Sequence, residues 1–445
     1  MKTFNELLKK YPQTGPRFTS FPPHHQFTGI DHKNWESALV HAIEDSSSPL
    51  APHLSLYLHI PFCQSLCHFC GCTKEITRDK SLARPLIETM EKEWLRFERL
   101  LKRPMVLKEL HLGGGSPSWL SPDELEQLLR PILNSRLLEV QNADLSIELD
   151  SRTTSVELID RLHQLKFTRL SFGVQDTHPI VLQAISRDQS FSYIKLLTHR
   201  ARSLGIEEIN YDLVLGLPFQ TVESIKSSLE DIVSVKPSRL ALYAYAHVPD
   251  LKPSQKILEK KGLPNQDLKM QLQIAAKDFL TSHGYVEIGM DHYALESDPL
   301  ALAMINGKLH RNFMGYTTFK SQLLIGLGPS AISETSQAYA QNEKNFLKWK
   351  AFIDADHWAI TNGHILSFDQ KILKEKIKQL MCHFQFQNDE ALSLSATELK
   401  TLSQLEEDGL IQLTPAGFDV TSLGRHFIRN ICVAFLALAQ NIIKK

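Results

Sequence analysis

A chain of 445 residues carrying 49 basic and 50 acidic side chains, formal net charge -1, is not built for bulk electrostatic attraction to nucleic acid or to an anionic membrane. Hydrophobic residues make up 42% and charged residues 22%, an ordinary globular composition with room for one large domain and one or two smaller ones, and no apolar run approaches the ~20 residues needed to span a bilayer. Six cysteines, four of them at 63, 67, 70 and 72, exclude a disulfide scaffold and point to metal or redox chemistry.

In chain order, residues 1–50 read as an irregular N-terminal arm. Its first ten residues lack a long apolar core and a small-residue cleavage site, so a cytoplasmic location is expected. Gly15-Pro-Arg-Phe-Thr-Ser-Phe-Pro-Pro23 holds three prolines and cannot be a helix interior. It is either a strap on a domain surface or a lid whose Arg17, Phe18 and Phe21 contact a ligand. Asp45-Ser-Ser-Ser-Pro49 reads as a linker.

From residue 54 short apolar strands alternate with helical patterns. Strands are predicted at Leu54–Ile60, Glu109–Leu112, Leu145–Leu149, Arg169–Val174, Glu208–Leu215 and Leu240–Ala246. Helices are predicted at Leu82–Leu101, Pro122–Leu133, Ser155–Leu165, Ser190–Leu204 and Val222–Val235. This rhythm specifies a parallel sheet with right-handed crossovers. Six units are too many for a small doubly wound domain and too few for a closed eight-fold barrel. The predicted fold is therefore α/β, a partial (β/α)6 TIM-like barrel over residues 51–250. In such barrels chemistry gathers at the carboxyl ends of the strands. The predicted strands end at His59 and the cysteine loop, at Gly113-Gly-Gly-Ser-Pro117, at Glu148 and Asp150, at Gln175 and Asp176 with Arg187 following, at Gly216-Leu-Pro218 after Asp212, and at Ala246-His247.

Residues 251–365 read as a barrel extension with substrate-side elements, including Gly284–Tyr293, His310–Thr318 and a close-approach turn at Gly326–Ser333. Residues 366–445 read as a small, mainly helical, winged-helix-like C-terminal domain. Its Lys371, Lys374, Lys376 and Lys378 alternate with acids and read as a solvated helix face rather than a DNA surface. Cys382 and Cys432 stand in apolar surroundings and read as plain buried side chains.

The cysteine loop carries the chemistry. Cys63, Cys67 and Cys70, spaced C-x3-C-x2-C, can hold three corners of a [4Fe–4S] cube and leave one iron without a protein ligand. A structural zinc site needs four ligands, commonly as two separated pairs. Cys72 is too close to Cys70 for both to join one tetrahedral ion without strain, and no second pair exists, which favours the cluster. Cys72 is then a spare thiol, there for packing or as a hydrogen donor or cluster support. The C-x3-C-x2-C spacing resembles that of the radical S-adenosylmethionine (SAM) enzymes. That resemblance implies that the free iron chelates the amino and carboxylate groups of SAM, and that one electron cleaves its C–S bond to give a 5′-deoxyadenosyl radical. Gly113-Gly-Gly115 would suit the methionine end, and Glu148 would accept from a ribose hydroxyl.

Further motifs narrow the resemblance. Gly15-Pro-Arg-Phe-Thr-Ser-Phe-Pro22, Tyr57-x-His-Ile-Pro-Phe-Cys-x3-Cys-x-Phe-Cys-Gly-Cys72, Gly113-Gly-Gly-Ser-Pro117, Gly173-Val-Gln-Asp176 and Asp212-Leu-Val-Leu-Gly-Leu-Pro218 are five of them. Gly289-Met-Asp-His-Tyr293, His310-Arg-Asn-Phe-x-Gly-Tyr316 and Ser330-Ala-Ile-Ser333 complete the set. Across nearly its whole length the sequence is similar to the oxygen-independent coproporphyrinogen III oxidases. The resemblance implies decarboxylation of two propionates of coproporphyrinogen III to vinyls, giving protoporphyrinogen IX in haem biosynthesis. It implies two SAM molecules beside one cluster. Tyr57, Gly114, Glu148 and Ile332 would contact the first. Phe69, Gly115, Ser116, Gln175, Arg187, Asp212 and Ala246 would contact the second. Tyr57 and His59 would be the catalytic pair. It also implies an electron donor and an electron acceptor of unspecified identity, no nucleic-acid partner and a monomeric chain. His310, Arg311 and Tyr316 are substrate-side candidates, because a substrate with four carboxylates calls for arginine. The chain departs from the family pattern at Ser116, where threonine is usual, and at Phe18, Phe21 and His68, where tyrosine is usual. A related haem chaperone on the same fold is the alternative, but such relatives usually lack the long arm and the Cys-Gly-Cys extension present here.

Overall fold

The computed structural model describes residues 3–11, 15–44, 52–387 and 396–442; the linker read at 45–49 lies outside the described residues. Six strands run parallel in chain order: β1 (His53–Ile60), β2 (Met105–Gly114), β3 (Asp144–Leu149), β4 (Arg169–Gln175), β5 (Glu208–Leu215) and β6 (Arg239–Ala244). The crossovers include α1 (Ala83–Glu98), α2 (Pro122–Leu133), α3 (Val156–Gln164), α4 (Phe191–Ser203) and α5 (Val222–Val235). Their starts follow from local chemistry: Ser121 with Glu124 and Thr221 with Ser224 form reciprocal capping boxes, and Pro122 occupies the first turn, where its missing N–H costs nothing.

Beyond β6, a hairpin of β7 (Tyr285–Gly289) and β8 (His292–Leu295) adds an antiparallel edge. β9 (His310–Asn312) and β10 (Gly315–Thr317) form a separate hairpin. β11 (Leu323–Leu327) then returns to pair parallel with β1, and β12 (Ile332–Glu334), β13 (Ala338–Asn342) and β14 (Ile360–Ile365) extend the sheet antiparallel. The six predicted βα units are present, but the parallel run has seven strands, the seventh inserted from far along the chain.

Strand alternation sorts the side chains. Leu54, Leu56, Leu58 and Ile60 of β1 join the main core with Trp94, Phe97, Trp119 and Trp349, while Ser55, Tyr57 and His59 take the opposite face. The inner face of the sheet is polar. Ser55 donates to Glu109 at 2.7 Å, and Asn312 and Thr317 of the β9–β10 hairpin donate to the same carboxylate at 2.8 and 2.9 Å, which closes the amino end of the barrel.

A second core gathers Leu373, Ile377, Leu380, Phe384, Phe418 and Phe427 with Leu7 and Phe18 of the arm. Its elements are helices Phe368–His383, Ala396–Glu407 and Ile428–Ile442 and a three-stranded sheet of Gln385–Gln387, Gly417–Val420 and Ile411–Thr414. Cys382 and Cys432 are buried and unpaired, as expected. The arm differs from expectation. It is not irregular throughout but contains helices at Phe4–Lys10 and His32–Glu44. The signals were a capping box of Thr3 with Glu6 and the spacing Trp35, Ala38, Leu39, Ala42, Ile43, which buries one helical stripe. The lysine face also differs: Lys374 is buried, and Lys374 and Lys378 pair with buried Glu334 at 2.9 and 3.1 Å. Those two lysines bind the helix Phe368–His383 to the sheet, and together they hold the Glu334 carboxyl at about 2, against the pull of burial, which acts in the opposite direction.

Glu93 of α1 is buried beside the β11–β12 turn and accepts from Gly328 N at 2.7 Å and Asn342 Nδ2 at 2.6 Å. Burial raises its carboxyl from 4.5 to about 7. The folded state then binds the proton more tightly than the unfolded state, so this group's contribution to stability falls as pH rises from about 4.5 to about 7. Glu93→Gln should flatten that part of the stability profile in urea titrations between those pH values; an unchanged slope would contradict the assignment.

Candidate active site

β1 delivers Tyr57 and His59 to the carboxyl-end mouth and runs into the cysteine loop. The loop root is pinned by a short parallel pairing of Phe62–Cys63 with Glu75–Ile76. Cys63 and Cys67 are buried, Cys70 is half-buried and Cys72 is exposed. His59 Nε2 lies 3.1 Å from the carbonyl of Thr73. A carbonyl only accepts, so Nε2 carries the proton, Nδ1 is the acceptor and the Tyr57 hydroxyl donates to it at 3.0 Å. Burial lowers the imidazole to about 4, so His59 is neutral at physiological pH. Ser330 Oγ stands 3.3 Å from Nε2. Tyr57 stacks on His111, whose Nδ1 lies 2.9 Å from Ser146 Oγ.

The glycine ribbon at the end of β2 is packed, not empty. A Cβ at Gly114, where φ is +112°, would lie 2.7 Å from the His59 ring; at Gly115 it would lie 2.8 Å from Phe62 O; at Gly113 it would meet the Glu148 carboxylate at 3.1 Å. Glu148 accepts from Gly114 N at 3.3 Å and sits 3.4 Å from His111 Nε2. Asp212 accepts from Ser171 at 2.8 Å and Asn210 at 2.9 Å, and burial, reinforced by the nearby Glu148 charge, raises its carboxyl to about 6. Tyr57, His59, Gly114, Gly115, Glu148 and Asp212 therefore share one mouth.

The thiols have distinct surroundings. Cys67 Sγ is met by Arg152 Nη2 at 3.2 Å and Arg187 Nη1 at 3.5 Å. Both arginines are anchored on Asp150, and Arg187 also donates to Gly173 O at 2.7 Å and Gln189 Oε1 at 2.7 Å. A hydrogen bond with the Cys72 thiol draws the Cys70 thiol down toward its anion, with help from Lys74. Burial pushes Cys63 up to about 12, with Cys70 close by. Three thiols on one loop, one drawn toward the thiolate and one facing two guanidinium groups, suit an open-corner iron–sulfur cluster.

The remaining predicted residues occupy the flanks. Buried Gln175 has φ +67° and abuts Gly173 with Arg187. Phe69 packs beside Leu182, Ile185, Tyr245 and Leu258, and its carbonyl and that of Ala246 both accept from Gln255 Nε2 at 3.2 Å. Ser116 turns its hydroxyl toward Ser118 at 3.0 Å. Ile332 packs in an apolar cluster with Tyr339 and Leu366, and its carbonyl lies against Gly326, the register partner of Tyr57. Sequence reasoning missed Arg152, Gln189, Gln255 and the Thr73 carbonyl. Only Arg152 left a signal, as a charge three residues after the end of β3.

This mouth defines a radical SAM protein, and residues 57–232 match the model of the radical SAM superfamily. The chain is 36% identical over 442 residues to the oxygen-independent coproporphyrinogen III oxidase of Pseudomonas aeruginosa, covering 97% of this chain and 95% of that one. It is 37% identical over 437 residues to the same enzyme of Escherichia coli K12, covering 96% and 94%. The solved Escherichia coli coproporphyrinogen III oxidase superposes with a TM-score of 0.88 at 34% identity, over 97% of this chain and 98% of that one. The chain belongs to the family of oxygen-independent coproporphyrinogen III oxidases.

Gly114→Ala adds a methyl against His59 at a backbone conformation that L side chains rarely adopt. Activity should fall at least ~100-fold while thermal unfolding stays cooperative, checked by turnover and circular dichroism. Near-wild-type turnover would contradict the packing described here.

Proposed function

We propose that the chain converts coproporphyrinogen III to protoporphyrinogen IX without oxygen, in haem biosynthesis. The observation that carries this reading is the neutral Tyr57–His59 pair packed between the glycine ribbon and the three-thiol loop, in a chain related end to end to enzymes of that name. Loss of one hydrogen atom, one electron and carbon dioxide from each of two propionates leaves two vinyls. Cys63, Cys67 and Cys70 hold a [4Fe–4S] cluster, which with bound SAM supplies the hydrogen-abstracting radical.

The residues divide the remaining work. Tyr57 and His59 hold a neutral, fixed hydrogen-bonding surface beside the cluster and exclude water from it. Tyr57, Gly114, Glu148 and Ile332 bind the cluster-bound SAM. Phe69, Gly115, Ser116, Gln175, Arg187, Asp212 and Ala246 bind a second. Arg17 and Arg311 are our assignment for substrate carboxylates. Arg17 lies over Tyr243, with its centre 5.6 Å from the ring, and pairs with Asp291 at 2.6 Å; buried Arg311 lies 4.4 Å over Tyr316 and reaches the Arg17 carbonyl. Residues 1–50 act as an arm, 51–250 as the catalytic partial barrel, 251–365 as its substrate-side extension and 366–445 as a winged-helix-like cap. No helix of the described residues is long and apolar enough to cross a membrane. We place the chain in the cytoplasm as a monomer, with an external electron donor and acceptor and no nucleic-acid partner.

The direct test is anaerobic incubation of reconstituted protein with SAM, a chemical reductant and coproporphyrinogen III. Carbon dioxide and divinyl product should form together with 5′-deoxyadenosine. Formation of 5′-deoxyadenosine without either product would point to a haem-carrying relative and sink the oxidase reading. Cys63→Ala, Cys67→Ala or Cys70→Ala should abolish the cluster's visible absorption and all activity, whereas Cys72→Ala should keep the absorption; bleaching by Cys72→Ala alone would overturn the ligand assignment.

A further inference from the structure

The proposed reaction starts with an electron that no residue of the chain supplies, so a reductant must reach the cysteine loop from outside. The surface beside that loop has an unusual make-up. Residues 248–261, which follow β6, carry Lys252, Lys256, Lys260 and Lys261 against Asp250 and Glu259, and Glu259 is taken up by His247 at 2.8 Å. In a chain of net charge -1 this is a local excess of positive charge. The segment is seated directly on the cysteine loop. Lys252 Nζ donates to the Cys72 carbonyl at 3.2 Å, Gln255 donates to the Phe69 carbonyl at 3.2 Å, and Leu258 packs in one cluster with Phe69. Lys261 donates to Ala184 O at 2.9 Å, and His68 N donates to Ile185 O at 3.1 Å, so the short helix Pro179–Ala184 borders the same face.

The same segments expose apolar side chains. Leu66 of the cysteine loop, Ile180, Val248, Ile257 and Leu251 are all exposed, Leu251 to 78%. Lys256 and Lys260 stand one helical turn apart at the surface, and among the described residues neither makes an ion pair. Exposed aliphatic side chains framed by lysines mark a protein contact rather than a solvated surface. A contact that forms and releases once per electron must be weak, and charge complementarity then sets its rate and orientation.

We infer that this face, Leu66 with residues 248–261 and the helix Pro179–Ala184, docks an acidic one-electron carrier protein that reduces the cluster. The carrier gives up one electron and leaves oxidised, and the cluster site gains that electron; no bond is made or broken at the interface. The inference rests on the proposed cluster site. The lysines favour an acidic carrier and would repel a basic one. The apolar residues bring its cofactor edge against the loop at Leu66, the exposed neighbour of the buried thiol of Cys67.

The test compares two reductants on one enzyme. Reduced flavodoxin serves as the acidic carrier and dithionite as the small reductant, with reconstituted wild-type protein and the double variant Lys256→Glu/Lys260→Glu. Neither lysine belongs to the catalytic or cofactor machinery. The variant should turn over normally with dithionite but at least ~10-fold more slowly at limiting flavodoxin, and the wild-type flavodoxin-driven rate should fall with ionic strength. Equal loss with both reductants would assign the lysines to the substrate or the fold and overturn the docking surface. No difference from wild type, or failure of flavodoxin to support wild-type turnover that dithionite supports, would overturn it as well. Absence of wild-type turnover with dithionite would instead refute the catalytic reading itself. Leu251→Glu provides an independent check on the apolar part: it should weaken flavodoxin-driven turnover and leave the dithionite rate intact.

Discussion

Close packing around Gly113–Gly115 is the constraint on which the mouth depends. Two separate parts of the chain converge on that ribbon, residues 59–62 through the His59 ring and the Pro61–Phe62 backbone, and the Glu148 carboxylate, so that an added Cβ would meet them at 2.7 to 3.1 Å. The ribbon thereby fixes the end of β1, and with it the root of the cysteine loop. Thr73, at the far side of the loop, closes the circuit by accepting from His59. Glycine was expected there to let backbone approach a cofactor. Its first use is to let the protein approach itself, and any cofactor surface the ribbon presents is held rigid by that packing.

Electrostatics inside the sheet reinforce the same geometry. The strands are apolar toward the helices and polar toward the barrel axis, so the carboxylates at 109, 148 and 212 all face inward. Glu109 at the bottom is satisfied by Ser55, Asn312 and Thr317 and serves as a plug. Asp212, higher up, has two donors and a carboxyl raised to about 6 by burial. Glu148 is half-exposed at the mouth. The arm ties this interior to the second core. Arg429 donates to the carbonyls of Gly15 and Pro16, and Arg17 pairs with Asp291 on the β7–β8 turn. Phe18 belongs to the second core, while Arg17 ties the arm to Asp291 and Tyr243 and His24 meets Gln341, which in turn donates to the Ser330 carbonyl beside His59.

Much of this was legible in the sequence, and the gaps have physical causes. The parallel strands and crossover helices announce themselves by apolar spacing, but β2 runs from Met105 rather than Glu109, because Lys108, Glu109 and His111 break the apolar pattern where the strand faces a polar interior. β11 was missed because Gly326 and Gly328 read as a turn, and only pairing with β1, some 270 residues earlier, makes the segment a strand. The helix at His32–Glu44 was readable from its stripe and was overlooked in a proline-rich neighbourhood. In the site, thiols and glycines declare themselves by type and spacing. Gln255 and Gln189 do not, since each works by bonding backbone carbonyls that only the fold brings near. Lys374 looked solvated by composition alone; its partner Glu334 lies 40 residues away on β12.

The central claim is that three cysteines leave one iron open beneath the glycine ribbon. The most direct measurement is pulsed electron–nuclear double resonance on the reduced, reconstituted protein with SAM labelled with nitrogen-15 at its amino group and oxygen-17 at its carboxylate. The account predicts resolved coupling from both labels to one iron, with the same signal in Cys72→Ala. Absence of coupling, or a cluster that binds a fourth cysteine and ignores the labelled cofactor, would contradict it.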